Sequence, residues 1–254
     1  DFDTETSTYN VAVGYNAGIA VTTGFQNTLI GGLAGDALTD SDKNVAVGYA
    51  ALTAETLGQF NVALGRSALQ AQNNTTATDV YNVAVGYNAG SSVTTGIFNT
   101  ITGGLAADAL TVGERNTVYG KSALTSDTKG SRAVAIGLSA LATQNFTTAT
   151  DNYNVAVGYS AGGLVTTGVK NTLLGGLAGD ALTDADHNVA MGFGALSGDT
   201  LGSRSTALGD SALVSQNFTT ATDVYNVAVG YFAGGSITTG QNNTLIGGQA
   251  GDAL

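Results

Sequence analysis

Fourteen copies of one eight-residue pattern, Asn-x-small-x-Gly-x-x-Ala, run through this chain without a slip in register, and that regularity excludes most globular folds. The units begin at Asn10, Asn27, Asn44, Asn61, Asn82, Asn99, Asn116, Ala133, Asn154, Asn171, Asn188, Ser205, Asn226 and Asn243. Successive starts lie 17, 17, 17 and 21 residues apart, and the same steps then return, which gives the 72-residue spacing of YNVAVGY at Tyr9, Tyr81, Tyr153 and Tyr225. Every unit has Gly at its fifth position (Gly14, Gly31, Gly48, Gly65 in the first super-repeat) and Ala at its eighth (Ala17, Ala34, Ala51, Ala68). A Gly without substitutes implies a positive φ or a backbone neighbour too close for a Cβ, and Asn tolerates the left-handed region best among the other residues. Asn10, Asn27, Asn44 and Asn61, with their Gly and Ala partners, are therefore expected to form the corners of a coil.

Between Asn and Gly, β-branched and aliphatic residues alternate, as in Val11 and Val13, Thr28 and Ile30, or Val62 and Leu64. A period of two over so short a run predicts a strand, and stretches with helical period are absent. One such unit cannot bury a face alone, so the units are expected to stack as rungs of an all-β, parallel β-solenoid or β-roll. At ~4.8 Å per rung, fourteen rungs make a rod of about 65 to 70 Å. Residues 9–254 read as one repetitive domain with super-repeats 10–81, 82–153 and 154–225 and a partial fourth, 226–254, preceded by a leader over residues 1–8. The last unit stops at Leu254 before it is complete, which reads as a fragment of a longer chain in preference to a subunit whose broken rung a neighbour completes. The lone Met191, at a fourth position, reads as a substitution in the core.

Composition narrows the chemistry. The chain has no Cys and one His, His187, so neither a disulfide framework nor a thiolate or multi-histidine metal centre is available. Eight basic against nineteen acidic residues give a net charge of -11, which disfavours nucleic acid and anionic lipid as partners. No apolar run reaches the roughly 20 residues of a membrane span, so no membrane insertion is expected. Gly is frequent, with 37 of 254 residues, yet Val, Ile, Leu and Tyr are too common for a disordered chain.

The units, for example Asn10-Val-Ala-Val-Gly14-Tyr-Asn-Ala17, resemble the head repeats of YadA-like trimeric autotransporter adhesins. They are also similar to repeat arrays of phage tail fibres and related surface fibres, in which such units alternate with Thr-Thr-Gly segments, here Thr22-Thr23-Gly24, Thr94-Thr95-Gly96, Thr166-Thr167-Gly168 and Thr238-Thr239-Gly240. The resemblance covers residues 9 to 254. It implies a homotrimer or filament of this chain, serving as a stiff shaft or adhesive head at a cell surface, on a virion or elsewhere outside the cell. YadA-like heads have rungs nearer fourteen residues, which leaves the particular fibre open.

The 21-residue steps place additional polar residues at Gln72, Asn73, Asn74, Thr75 and Thr76, at Gln144, Asn145, Phe146 and Thr147, and at Gln216, Asn217, Phe218 and Thr219. These loops are candidate attachment sites for a host-surface glycan or receptor, with Phe146 and Phe218 read as exposed aromatics. Recurring every fourth rung, about 19 Å apart, they suit weak multivalent contact; a tolerated surface insertion is the simpler reading. Tyr15, Tyr49, Tyr87, Tyr159 and Tyr231 suggest an aromatic stripe for chain contacts or sugar stacking. The pairs Asp40 and Asp42, and Asp184 and Asp186, hint at calcium, but Val112-Gly113-Glu114-Arg115 replaces them in the middle super-repeat, and they read as solvated turns. No cofactor, metal or catalytic residue is expected, and a non-enzymatic structural fibre is the leading reading. The alternatives are a left-handed β-helix acyltransferase, which needs three hexads per coil and His187 as base, and an ice-binding solenoid, which needs Thr on every rung where the Thr-Thr pairs come once in four. Where Ala133 and Ser205 interrupt the Asn series, the preceding Arg132 and Arg204 are expected to supply the missing contact.

Overall fold

The computed structural model describes residues 7–253, so residues 1–6 of the leader and Leu254 lie outside it. Among the described residues there is no helix. Fourteen three-residue strands, from Val11–Val13 to Thr244–Ile246, hydrogen-bond in chain order into one parallel sheet. The chain is a parallel β-solenoid of about fourteen turns. Register is identical at every step: Val11 pairs with Thr28 across 17 residues, and Val62 with Val83 across 21. The four additional residues are thus absorbed before the next strand begins.

Each strand points its middle residue inward and its two outer residues outward, as the pleat requires. Between the two end rungs, Ala46, Ala63, Ala84 and their equivalents are buried, whereas the second and fourth positions stay partly open. Met191 consequently lies on the outside, 43% exposed, and is no core substitution.

The fifth-position glycines are set by contact between rungs. Their φ runs from +127° at Gly247 to +142° at Gly120 and Gly158. A Cβ on Gly120 would lie 2.3 Å from the Gly137 carbonyl oxygen, and one on Gly48 2.5 Å from that of Gly65. Side chains are therefore excluded along the column from Gly14 to Gly230 by the neighbouring backbone. The asparagines act differently from the sequence expectation. It is the residue just before each Asn, such as Tyr9, Lys43 or Arg115, that takes the left-handed conformation. The Asn side chain itself turns inward: Asn27 Nδ2 donates to the Ser41 carbonyl (2.7 Å), and Asn27 Oδ1 accepts from the backbone N–H of Asn44 (2.9 Å). One amide thus closes its own coil and holds the next, satisfying backbone groups that would otherwise be buried without partners.

At the gap in this ladder, Ala133, the substitute is Asn152, whose Oδ1 accepts from the Asn154 N–H (2.9 Å). Arg132 instead pairs at the surface with Asp151 (2.9 Å), and Arg204 with Asp223 (2.9 Å). We expect Asn152→Ala to cost about 1–2 kcal/mol, because it leaves a buried N–H unpaired. In an Ala133→Asn background the same change should cost much less, a difference that urea denaturation of the four variants would measure.

The core explains the 72-residue period. In the first two rungs of a super-repeat the ninth position is Gly or Ala and the twelfth is aliphatic, as in Gly18 with Val21 and Gly35 with Leu38. In the next two the ninth is Leu and the twelfth is polar, as in Leu52 with Glu55 and Leu69 with Gln72. The Gly rungs are occupied by a Leu or Ile from the strand: a Cβ on Gly35 would sit 2.8 Å from Leu29 Cδ2 and 2.7 Å from Leu38 Cδ1. Large and small side chains alternate in a set of four rungs, which keeps a narrow interior filled.

Candidate functional site

Each 21-residue step folds its additional length back onto the preceding coil. Thr78–Asp79 pairs in parallel with Gly58–Gln59, Thr150–Asp151 with Gly130–Ser131, and Thr222–Asp223 with Gly202–Ser203. Under each loop lies a fully buried carboxylate, Glu55, Asp127 or Asp199. Asp127 Oδ1 accepts from the backbone N–H of Gly130 (2.9 Å) and Phe146 (3.1 Å), and Oδ2 accepts from Gln144 Nε2 (2.6 Å). Gln144 Oε1 in turn accepts from Asn154 Nδ2 (2.8 Å), which joins the loop anchor to the Asn ladder. Glu55 makes the same arrangement with Gly58, Asn74 and Gln72, and Asp199 with Gly202, Phe218 and Gln216. A carboxylate ringed by donors is held without a counter-ion. Sequence reasoning missed these acids, although their place in the twelfth-position series after Val21 and Leu38 marked them as interior.

The anchors divide the candidate attachment loops. Gln72, Asn74, Gln144, Phe146, Gln216 and Phe218 are buried, whereas Asn73, Thr75, Thr76, Asn145, Thr147, Asn217 and Thr219 are exposed. Phe146 and Phe218, expected as exposed aromatics, are each only 6% exposed, because the buried carboxylate draws their backbone inward. What the loops present to solvent is a tip of threonines.

The outward face of the sheet carries most of the exposed apolar and basic side chains. Its two strand columns hold Val, Thr, Ile and Leu, with Tyr119 and Met191 as the exceptions. One flank is the sixth-position column with Tyr15, Tyr49, Arg66, Tyr87, Tyr159 and Tyr231; the other is the column just before each Asn. In the latter, Phe60 stacks on Tyr81 (ring centroids 4.8 Å apart) and Tyr81 on Phe98 (6.0 Å), and the Lys43 ammonium lies 4.8 Å from the Phe60 ring. Of the eight basic residues, only Lys129 lies outside these two flanks, so a chain of net charge -11 concentrates its cations here. Cation–aromatic contacts at this spacing contribute about 0.5–1 kcal/mol each at exposed sites.

A shallow depression of about 240 Å³ opens beside the sixth-position flank, lined in part by Ser139, Ser160, Leu164, Leu177 and Asp180. Asp180 Oδ1 is buried there without a hydrogen-bond partner, and desolvation pushes its carboxyl above the ordinary range. In sister rungs the equivalent Asp36 and Asp108 accept from Thr53 Oγ1 and Thr125 Oγ1, whereas Ser197 holds that place above Asp180.

The other sequence candidates separate. Asp40 accepts from Thr23 Oγ1 (2.5 Å) and Asp42 from the Phe25 N–H (2.9 Å), so both are engaged in turns. No group of three metal-ligating side chains occurs among the described residues. His187 is an exposed residue of the outer flank. The thirteenth-position threonines line up more continuously than the Thr-Thr pairs suggested, with Thr94, Thr111 and Thr128 followed by Asn145. Their hydroxyls bond along the ladder, Thr111 Oγ1 to the Thr128 carbonyl at 2.8 Å, and an insertion loop interrupts the row every fourth rung. Neither a protein-family model, nor a curated protein, nor a solved structure matches this chain.

Proposed function

We propose that this chain is a non-enzymatic fibre segment, a shaft or adhesive head, that assembles with copies of itself, as a homotrimer, at a cell surface or on a virion. The observation that carries this reading is the outward face of the fourteen-stranded sheet. Its Val, Ile, Leu and Thr columns run the length of the rod, and at ~4.8 Å per strand and ~3.3 Å per residue the fourteen three-residue strands cover roughly 670 Å². Monomers rarely leave a contiguous apolar surface much above about 300–600 Å² open. A covering surface must repeat at the same rung spacing over the same length, and another copy does so rung for rung. The exposed threonine tips of the three loops then remain outside and offer hydroxyl-rich, evenly spaced contacts to a host glycan or receptor.

Light scattering on the purified chain tests the assembly, the expected result being about three times the 25.2 kDa of one chain. A monomer would remove the reading. Replacing Thr75, Thr76, Thr147 and Thr219 together by Ala should leave the rod folded and abolish any host attachment; attachment that survives would make the loops scaffolding.

A further inference from the structure

Three departures from the repeat coincide at Asp180. Gly163 stands where the first two super-repeats have Ile19 and Ser91, Ala142 where Gln70 stands in the preceding super-repeat, and Ser197 where they have Thr53 and Thr125. The first two changes remove side-chain volume beside the depression; the third keeps a hydroxyl, but Ser197 Oγ makes no bond to Asp180 of the kind that Thr53 and Thr125 make to Asp36 and Asp108. The result is a carboxylate oxygen buried without a donor, which costs free energy unless a ligand supplies one.

The same rung contains a fourth departure. Just before its Asn is Lys170, where the sister rungs have Gln26, Phe98 and Asn242. Lys170 is exposed and belongs to none of the ion pairs among the described residues. The strand Thr172–Leu174 lies between Lys170 and the sixth-position column, and Asp180 follows in the turn beyond that column. A cation therefore appears in the rung whose acid has lost its partner, on the far side of the sheet.

Cyclic symmetry brings those sides together. When three flat faces surround an axis parallel to the rod, each corner joins the leading edge of one face to the trailing edge of the next, and pure rotation keeps every residue at its height. The column before each Asn then meets the sixth-position column of the same rung in the neighbouring copy. Read rung by rung, these columns match: Lys43 meets Tyr49, Phe60 meets Arg66, Tyr153 meets Tyr159 and Arg204 meets Asp210. Arg115 against Lys121 is the like-charged exception, and Arg115 already holds Glu114 at 2.5 Å. Opposite Lys170 the sixth position is Gly176, which has no side chain of its own and is flanked by the Phe193 ring, 3.5 Å from where its Cβ would stand.

We infer that the depression at Asp180 is a docking site for the Lys170 ammonium of a second, parallel and in-register copy of this chain. The inference rests on the self-assembling fibre reading and adds which edges meet and in which register. Leu164 and Leu177 flank the lysine stem, and the carboxylate receives the ammonium as a charge-assisted hydrogen bond.

Carbodiimide treatment joins a lysine amine to a carboxylate only where they touch, and it tests the pair in the native assembly. A Lys170→Ala chain and an Asp180→Asn chain, co-expressed with different tags, can form the Lys170–Asp180 amide only between chains. The co-expressed pair should give that cross-linked peptide by mass spectrometry. Either variant alone should lose the peptide at least tenfold, at unchanged circular dichroism. A trimer by mass that yields no such peptide from the co-expressed pair, or from wild type, overturns the inference and leaves the fibre reading intact. A monomer by mass overturns both.

Discussion

Gly120→Ala is expected to disrupt the middle of the rod, while the same change at Gly104 leaves it standing. A Cβ at residue 120 falls 2.3 Å from the Gly137 oxygen and 2.6 Å from its carbonyl carbon, both backbone atoms that cannot rotate away. Relief would need two rungs to separate, which breaks the strand pairing of Thr117–Tyr119 with Val134–Ile136. At Gly104, inside the rod, no atom lies within 4 Å of such a Cβ and φ is not positive, so the change meets neither overlap nor backbone strain. The expected losses are about 4 kcal/mol or more at the first site, where steric overlap in a packed interior adds to strain, and less than about 0.5 kcal/mol at the second. Stacked repeats can open locally, so denaturation should be followed both by circular dichroism and by the positions of proteolytic cuts. Equal stabilities for the two variants would mean that the contact between glycine backbones does not set the stacking.

Asp127→Ala should have the second-largest effect, about 3–5 kcal/mol, because it strands the N–H groups of Gly130 and Phe146 and the amide of Gln144 in a site closed to water. The damage should be local. The loop over residues 144–152 is anchored through that carboxylate, so it should become a protease-sensitive segment while the strands on either side keep slow hydrogen exchange. Asp79→Ala, at an exposed position in the equivalent stretch, should change stability by less than about 0.5 kcal/mol. Unaltered protection of residues 144–152 in Asp127→Ala would show that the backbone pairing of Thr150–Asp151 with Gly130–Ser131 suffices to hold the loop.

Much of this fold is legible in the spacing. Gly and Ala at fixed offsets, with alternating aliphatics between, gave strand, stacking and rung count, because each rests on short-range sterics that repeat identically. The role of the Asn column was less legible. Left-handed tolerance and inward hydrogen bonding both favour Asn, and only the geometry of coil closure decides for the second, as Asn27 bonded to Ser41 and Asn44 shows. Phe146 and Phe218 were misread for a related reason. Their polar neighbours suggest solvent, yet the carboxylate that draws them inward stands nineteen residues earlier, in the previous rung. Met191 shows the same limit, since alternation announces two faces without telling which one is inside.

The four-rung alternation of core volumes also governs how such a rod changes length. Removing one 17-residue unit would leave a Gly such as Gly162 without the Leu173 that occupies its space, or set Leu52 and Leu124 types against another bulky rung. Removing or adding 72 residues preserves the alternation of core volumes. Growth of the rod is thus quantised: in-frame duplication is tolerated in whole super-repeats, and each one lengthens the rod by about 19 Å.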